Sequence, residues 1–272
     1  MELQSLLFLY LIRNKLTHYD FMPYLYGGFS IQAENDISAL KAMGWLAEAN
    51  EKFLYAGNGD SIDANLPFED PGDSIKDQLP KERGNQLLKL VYEQYPYYAI
   101  NSQIIESDMD KEGITRILNE KERLRKTEQI LFTIGYEGLS LENYLNTLIR
   151  KDIHVLCDVR NNAFSRKFGF SKSILEKYLK DVGIEYIHLP ELGIVAAKRN
   201  NISSEEDKLI LFNDYGSSLP GRKKYLDRII MLLKTKHRIA LTCFEHEPMH
   251  CHRHIIRDYL KRNYNIKTFD LL

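Results

Sequence analysis

The sequence predicts an α/β protein, with a mostly parallel sheet and flanking helices in its C-terminal part and a small α+β domain before it. Short apolar runs alternate with helical patterns from residue 128 onward, which is the order typical of parallel sheets covered by helices. Charge is divided unevenly as well. Residues 1–127 hold 14 Lys and Arg against 20 Asp and Glu, whereas residues 128–272 hold 23 against 18. We therefore predict two domains with these bounds.

The N-terminal domain begins with a helical pattern of apolar residues that ends near Asn14. Paired glycines at Gly27 and Gly28 then predict a turn, and Ser30 is a suitable N-cap for a helix through about Ala42. The same rules predict the following elements: short strands at Trp45–Ala47 and Lys52–Tyr55, a loop at 58–80, and helices at about 80–94 and 111–127.

The order of two helices followed by a strand pair resembles winged helix-turn-helix domains over roughly residues 1–57. Its expected recognition helix, Ser30–Lys41, contains two acidic residues and one lysine, whereas phosphate neutralisation requires Lys and Arg. Two roles therefore stay open for residues 1–57: contact with a protein partner or a second copy, and direct contact with nucleic acid.

The C-terminal domain is predicted to alternate strands and helices along its whole length. The elements, in order, are a strand at Ile130–Ile134, a helix at Leu141–Arg150, a strand at His154–Val159, a helix at Ser171–Val182, a strand at Glu185–Leu189, a helix at Leu219–Thr235, a strand at Arg238–Phe244, a helix at Ile255–Asn263 and a final strand at Ile266–Leu271. In such sheets the working site lies beyond the carboxyl ends of the strands.

Residues that can bind anions follow several of these strands. Arg160, Arg166 and Arg253 come from different loops but would meet at one edge of the sheet, where guanidinium groups bind phosphate in a bidentate manner. The alternative is that each arginine forms a structural ion pair with a neighbour such as Asp158. Tyr136 and His252 are the further candidates for substrate binding, Tyr136 by stacking on a base or a sugar.

Candidate catalytic groups lie at the same edge. Glu245 comes two residues after Cys243, so both side chains would point to one face of an extended backbone. Glu245 is a candidate general base and forms a possible carboxylate pair with Asp158, although it could simply pair with Arg253. Cys251 would lie at a helix N-terminus, a setting that favours a reactive thiolate. A redox pair with Cys243 and a packing role stay open for this thiol.

The density of His and Cys between residues 243 and 254 raises the question of a metal ion. Cys243, Cys251 and His252 are the residues that would hold it. Because the spacing fits no closed set of four ligands, we predict no metal, and the sequence leaves the identity of any cofactor unknown.

These motifs, in this order, resemble a bacterial and archaeal family called domain of unknown function 488. The resemblance covers about residues 130–272 and rests on Thr133-Ile134-Gly135-Tyr136, Asp158-Val159-Arg160, Ser165-Arg166, Gly169-Phe170-Ser171, the run Gly183–Gly193, Cys243-x-Glu245 and Cys251-His252-Arg253. It implies an α/β domain suspected to be an enzyme through its Cys, Glu and Arg positions, with some members linked to DNA repair or nucleic-acid processing. The chain departs from the family at Asn161–Phe164, where Pro and further Arg are usual.

Taken together, these features predict an enzyme that acts on a nucleic acid or nucleotide, by hydrolysis or transfer at a phosphate or N-glycosidic bond. The alternative is a winged-helix DNA-binding regulator that senses a ligand or an oxidant at the Cys, His and Arg residues. Three cysteines are too few for a disulfide framework. No signal-peptide pattern or membrane span is evident, so we expect a cytoplasmic protein that does not contact membranes.

Overall fold

The computed structural model describes residues 2–49, 52–55, 77–105, 109–198 and 204–272. It divides into two compact units, Met1–Lys121 and Glu122–Leu272. The loop predicted at 58–80 lies outside the described residues up to position 76. Within the described residues, no helix has both the length and the apolar character needed to cross a membrane.

The N-terminal unit alternates helices with two-stranded antiparallel hairpins. Its elements are α1 (Glu2–Arg13), β1 (Met22–Tyr24), β2 (Gly27–Phe29), α2 (Ile31–Ala42), β3 (Leu46–Ala49), β4 (Lys52–Tyr55), α3 (Gly84–Gln94), a 3-10 turn (Pro96–Ala99) and α4 (Lys111–Leu124). The hairpin of β1 and β2 stands where the sequence predicted only a turn. Ser30 caps α2 as expected, since its hydroxyl oxygen accepts a hydrogen bond of 3.2 Å from the backbone N–H of Ala33.

Aromatic rings build much of the core of this unit. The ring of Phe8, at the centre of α1, is fully buried. It makes edge-to-face contacts with Phe21, Tyr95 and Tyr98 at centroid distances of 4.6 to 5.3 Å. Such contacts hold α1 against the segment that follows α3.

The C-terminal unit contains a five-stranded sheet in which every pair of neighbours is parallel, as the alternating pattern predicted. Its strands are β5 (Ile130–Gly135), β6 (Val155–Asp158), β7 (Glu185–His188), β8 (Arg238–Cys243) and β9 (Thr268–Leu271), in the spatial order β7-β6-β8-β5-β9. The helices are α5 (Leu141–Arg150), α6 (Lys172–Asp181), α7 (Glu205–Ser218), α8 (Lys223–Lys236) and α9 (Arg253–Tyr264).

Helices cover both faces of this sheet. Apolar side chains of α7, α8 and α9 pack with Leu131, Val155 and Leu241 on one face. On the other face Tyr144 of α5 donates a hydrogen bond of 2.7 Å to the hydroxyl of Thr242, the neighbour of Leu241 in β8. Because side chains alternate along a strand, the two contacts lie on opposite sides of the sheet.

Three helices differ from the sequence prediction. The region before residue 219 contains α7, which was not predicted. The next helix does not start at Leu219, because Pro220 lies in a 3-10 turn at Leu219–Arg222 and α8 begins at Lys223. The helix expected at Ile255 begins two residues earlier, at Arg253.

Candidate active site

A cleft lies at the carboxyl ends of β5, β6 and β8, which are neighbours in the sheet. Its volume is about 380 Å³. The cleft gathers Tyr136, Arg160, Asn161, Asn162, Phe164, Ser165, Arg166, Lys167, Ile194, Ala196, Cys243, Phe244 and Glu245. Five of the sequence-predicted site residues therefore share one cavity, whereas Asp158, Cys251, His252 and Arg253 lie outside its lining.

Arg160 and Asp158 form a buried ion pair. Nε of Arg160 donates to both carboxylate oxygens at 2.9 and 3.0 Å, and Nη2 donates to Oδ2 at 2.5 Å. Nη1 donates to the hydroxyl of Tyr136 at 2.7 Å and to the carbonyl of Phe170 at 2.9 Å. Every guanidinium nitrogen thus has an acceptor within the protein. This is the structural ion pair that the sequence left open as the alternative to anion binding by this arginine.

Asp158 is fully buried and receives more donors than Arg160 alone. The hydroxyl of Tyr186 donates to Oδ2 at 2.6 Å, and the backbone N–H of Arg160 donates to Oδ1 at 3.0 Å. Burial and the adjacent carboxylate raise the pKa of Tyr186, so the phenol stays a donor. Burial alone would lower the pKa of Arg160, but the hydrogen bonds and charge of Asp158 raise it. This geometry favours a supporting role for Asp158.

The side chain of Tyr136 is also buried in the protein interior. Its ring stacks on Phe170 with centroids 4.3 Å apart and an interplanar angle of 8°, so one face is covered. The aromatic rings that do reach solvent beside the cleft are Phe164 and Phe244, which are 69% and 41% exposed. Sequence reasoning did not select them as site residues. Phe164 lies in the loop where the chain departs from the family pattern that it resembles, and that departure was the available signal.

Two cations line the cleft next to these rings. Arg166 is exposed and makes no ion pair with any other residue that the structure describes. Lys167 donates to the carbonyl of Tyr136 at 2.9 Å, and partial burial lowers its pKa. Sequence reasoning named Arg166 and missed Lys167, which follows it directly.

Arg253 is fully buried and holds the loop that carries Glu245. Its Nη1 donates to the carbonyl of Glu245 and its Nη2 to the carbonyl of His246 at 2.6 Å. Nε points to the hydroxyl of Thr133 at 3.4 Å. These contacts favour a positioning role for Arg253 over the predicted anion binding. They also differ from a salt bridge to Glu245, because the acceptor is the backbone of that residue.

A glycine lets this loop approach β5. A Cβ atom added at Gly135 would lie only 1.8 Å from the carbonyl oxygen of Glu245. The residues that directly follow β5 also hold this loop. The backbone N–H groups of Tyr136 and Glu137 both donate a hydrogen bond to the carbonyl of Phe244. Gly135 and Arg253 together therefore fix the backbone position of Glu245.

Two thiols and an imidazole meet behind Glu245. Nδ1 of His252 lies 3.7 Å from the sulfur of Cys243 and 3.9 Å from the sulfur of Cys251, while Nε2 lies 3.0 Å from the carbonyl of Val159. Oε2 of Glu245 lies 3.4 Å from the sulfur of Cys243. The side chains of Cys243, Cys251 and His252, which form this cluster, are almost completely buried. Of the three, only Cys243 lines the cleft.

The pKa values of the two thiols are shifted in opposite directions. Burial opposes ionisation of Cys251, but the hydrogen bond from Cys243 and the nearby side chains of His252 and Arg253 hold its pKa well below the usual value. The hydrogen bond to Cys251 and burial raise the pKa of Cys243 well above the usual value. Cys251 is therefore the more acidic of the two thiols. Cys157 lies apart from this cluster in β6, where burial raises its pKa to about 12.

The fold and this site define a parallel α/β protein with a thiol, imidazole and carboxylate group at the carboxyl edge of its sheet. Residues 140–260 match the model of the family described as "Domain of unknown function DUF488". The match supports the resemblance that the sequence motifs indicate for the C-terminal unit. Comparison with curated proteins and with solved structures gives no significant match.

Proposed function

We propose that the C-terminal unit is an enzyme that acts on a nucleic acid or a nucleotide, by hydrolysis or transfer at a phosphate or N-glycosidic bond. The observation that carries the proposal is the composition of the cleft. Exposed cationic and aromatic side chains line it together with the carboxylate of Glu245. Phosphates pair with cations and bases stack on aromatic rings, so this combination suits a nucleotide unit better than a purely apolar or purely anionic substrate.

Four of the lining residues have a role in this proposal. Arg166 neutralises a phosphate, and Phe164 and Phe244 stack against a base. The carboxylate of Glu245 takes a proton from an attacking water, whose oxygen bonds to phosphorus or to the anomeric carbon while the leaving group departs with the bonding electrons. Arg253 acts on this step only by positioning the backbone of Glu245.

The test is a denaturing-gel assay with end-labelled single- and double-stranded DNA and RNA, run directly and after hot alkali. Cleavage before alkali indicates phosphodiester chemistry, and cleavage only after alkali indicates base excision. Free nucleotides are followed in parallel by chromatography of their products. Absence of turnover on all of these substrates would refute the proposal.

Substitutions locate any activity in the cleft. We expect Glu245→Gln to lower turnover by about 100-fold or more, since a general base contributes that much. Glu247→Gln is the matched control, because Glu247 is exposed in the same loop and does not line the cleft. Equal activity of the two variants would exclude Glu245 as the base.

For the N-terminal unit we propose a winged-helix-like module that contacts a protein partner or a second copy. The acidic residues of α2 support this over DNA contact, although they are also used within the unit. Asp36 accepts from the hydroxyl of Tyr19 at 2.8 Å, and Glu34 accepts from Gln4 at 3.3 Å. Fluorescence anisotropy with the full chain and labelled duplex DNA tests this. Sequence-dependent binding that Lys41→Glu weakens, or that oxidation changes, would favour the DNA-binding regulator instead.

A further inference from the structure

Three ligand atoms of metal-binding type converge at one point in the C-terminal unit. The sulfurs of Cys243 and Cys251 and a ring nitrogen of His252 all lie within 4.8 Å of one another. Cys243 ends β8, and the other two residues directly precede α9. Thiolate and imidazole are the ligands that zinc prefers in proteins.

The imidazole of His252 is already oriented for coordination. Its Nε2 lies 3.0 Å from the carbonyl of Val159, and a carbonyl accepts only from a protonated nitrogen. In the neutral ring the lone pair is therefore on Nδ1, which faces both sulfurs. Histidine ligands of metals are typically held in this way, with the second ring nitrogen donating to a carbonyl or carboxylate.

The distances fit a tetrahedral ion. Usual Zn–S and Zn–N bond lengths place the sulfur and nitrogen ligands of such an ion about 3.6 Å apart. The observed separations between Nδ1 of His252 and the two sulfurs are 3.7 and 3.9 Å. Shifts of a few tenths of an ångström would therefore bring both pairs to the spacing of bound ligands.

Glu245 adjoins this group of ligand atoms. This residue lies between two cavities, the cleft of about 380 Å³ and a smaller one of about 110 Å³ that His252 also lines. Oε2 of Glu245 is 3.4 Å from the sulfur of Cys243. Catalytic zinc sites have three protein ligands and an open position for water, whereas structural sites close with four.

We propose that Cys243, Cys251 and His252 bind a zinc ion whose fourth position is open to water beside Glu245. Binding replaces the thiol protons, which pass to solvent, and no oxidation is involved. This site does not depend on the proposed function, because metal binding is measured without a substrate. If the enzyme acts by hydrolysis, the ion supplies a water of lowered pKa and Glu245 holds it.

The first measurement is the metal content of the full chain purified under reducing conditions, followed by removal of the metal and titration with cobalt. We expect one zinc per chain. Cobalt should bind with the same stoichiometry and produce the absorption of sulfur-to-cobalt charge transfer. Zinc below about 0.1 per chain, together with no such band in the reduced protein, would overturn the proposal.

The three cysteines provide a matched set of variants. Cys243→Ala and Cys251→Ala should each lower metal affinity by at least about 100-fold, the upper range for loss of a single supporting partner. Cys157→Ala should retain the metal, because Cys157 lies in β6 outside the cluster. Equal metal content in all three variants would overturn the site. Circular dichroism checks their folding, and the cobalt spectrum of the unmodified chain is a test that does not depend on any variant.

Discussion

Replacing Gly135 by alanine tests whether close packing of the loop after β8 positions the candidate site. The added Cβ would lie 1.8 Å from the carbonyl oxygen and 2.6 Å from the carbonyl carbon of Glu245. Protein Cβ atoms essentially never approach another heavy atom within 3.0 Å, so the loop backbone must move by more than 1 Å. Both contacted atoms belong to the backbone, and no flexible side chain can turn aside.

The cost of this movement follows from what the loop contacts. Overpacking of a filled interior costs about 1 to 3 kcal/mol. The displaced carbonyl of Glu245 is also an acceptor for Arg253, which is fully buried, and a hydrogen bond to a charged group contributes about 1.5 to 3 kcal/mol. We therefore expect Gly135→Ala to lower the free energy of unfolding by about 2.5 to 6 kcal/mol.

The assay is urea unfolding followed by circular dichroism, combined with cobalt binding and any turnover found on nucleic acids. A misplacement of about 1 Å at a reacting group can cost on the order of 100-fold in rate, so activity should fall at least that far. Gly221→Ala is the control, since nothing lies within 4 Å of its added Cβ. We expect that variant to differ from the unmodified chain by less than about 1 kcal/mol. If Gly135→Ala were equally mild and kept full cobalt binding, the packing argument would be refuted.

Three further substitutions test the buried ion pair, the buried thiol of β6 and the N-cap of α2. Asp158→Asn leaves the buried guanidinium of Arg160 without its counter-charge and should cost about 3 to 5 kcal/mol in urea unfolding; a loss below about 1 kcal/mol would contradict the ion pair. The pKa of Cys157 is raised to about 12 in the folded chain, so only the unfolded chain loses this proton above pH 9, and stability should fall by about 1.4 kcal/mol per pH unit from there to pH 12. Cys157→Ala should remove that part of the alkaline decline, and identical slopes would argue against burial of the thiol. Ser30→Ala should destabilise by about 1 kcal/mol through loss of the N-cap of α2, with no change in cobalt binding by the other unit.

The sheet of the C-terminal unit was predictable because its three central strands, β5, β6 and β8, are fully buried. A strand covered on both faces is a continuous apolar run, as in Ile130–Gly135 and Arg238–Cys243, and such runs stand out between polar turns. Elements with weaker patterns were missed. In α7 the apolar side chains of Leu209 and Ile210 are exposed, so the apolar residues of this helix are not confined to the face that packs on the sheet. The strands β1 and β2 have three residues each, too few for an alternating pattern.

The gathering of polar residues at one edge of the sheet was predictable for the same reason, because the carboxyl ends of parallel strands meet there. The hydrogen-bond partners of the individual residues could not be predicted. The hydroxyl of Tyr136 and the carbonyl of Phe170 that engage Arg160 come from other parts of the chain. Only the folded backbone brings them together. A sequence can therefore nominate an arginine for such an edge without showing whether its guanidinium is already occupied.

The strand order of the sheet has a consequence for how the chain folds during synthesis. The strands β6 and β7 are near neighbours in sequence and pair directly, so this part can form early. By contrast, β5 hydrogen-bonds to β8 and β9, which leave the ribosome more than a hundred residues later. Until then a strand that is fully buried in the folded protein lacks both partners, which exposes it to aggregation and to capture by chaperones. Since Gly135, Cys243 and Glu245 meet only when β5 joins β8, we expect the candidate site to be assembled in the last stage of folding.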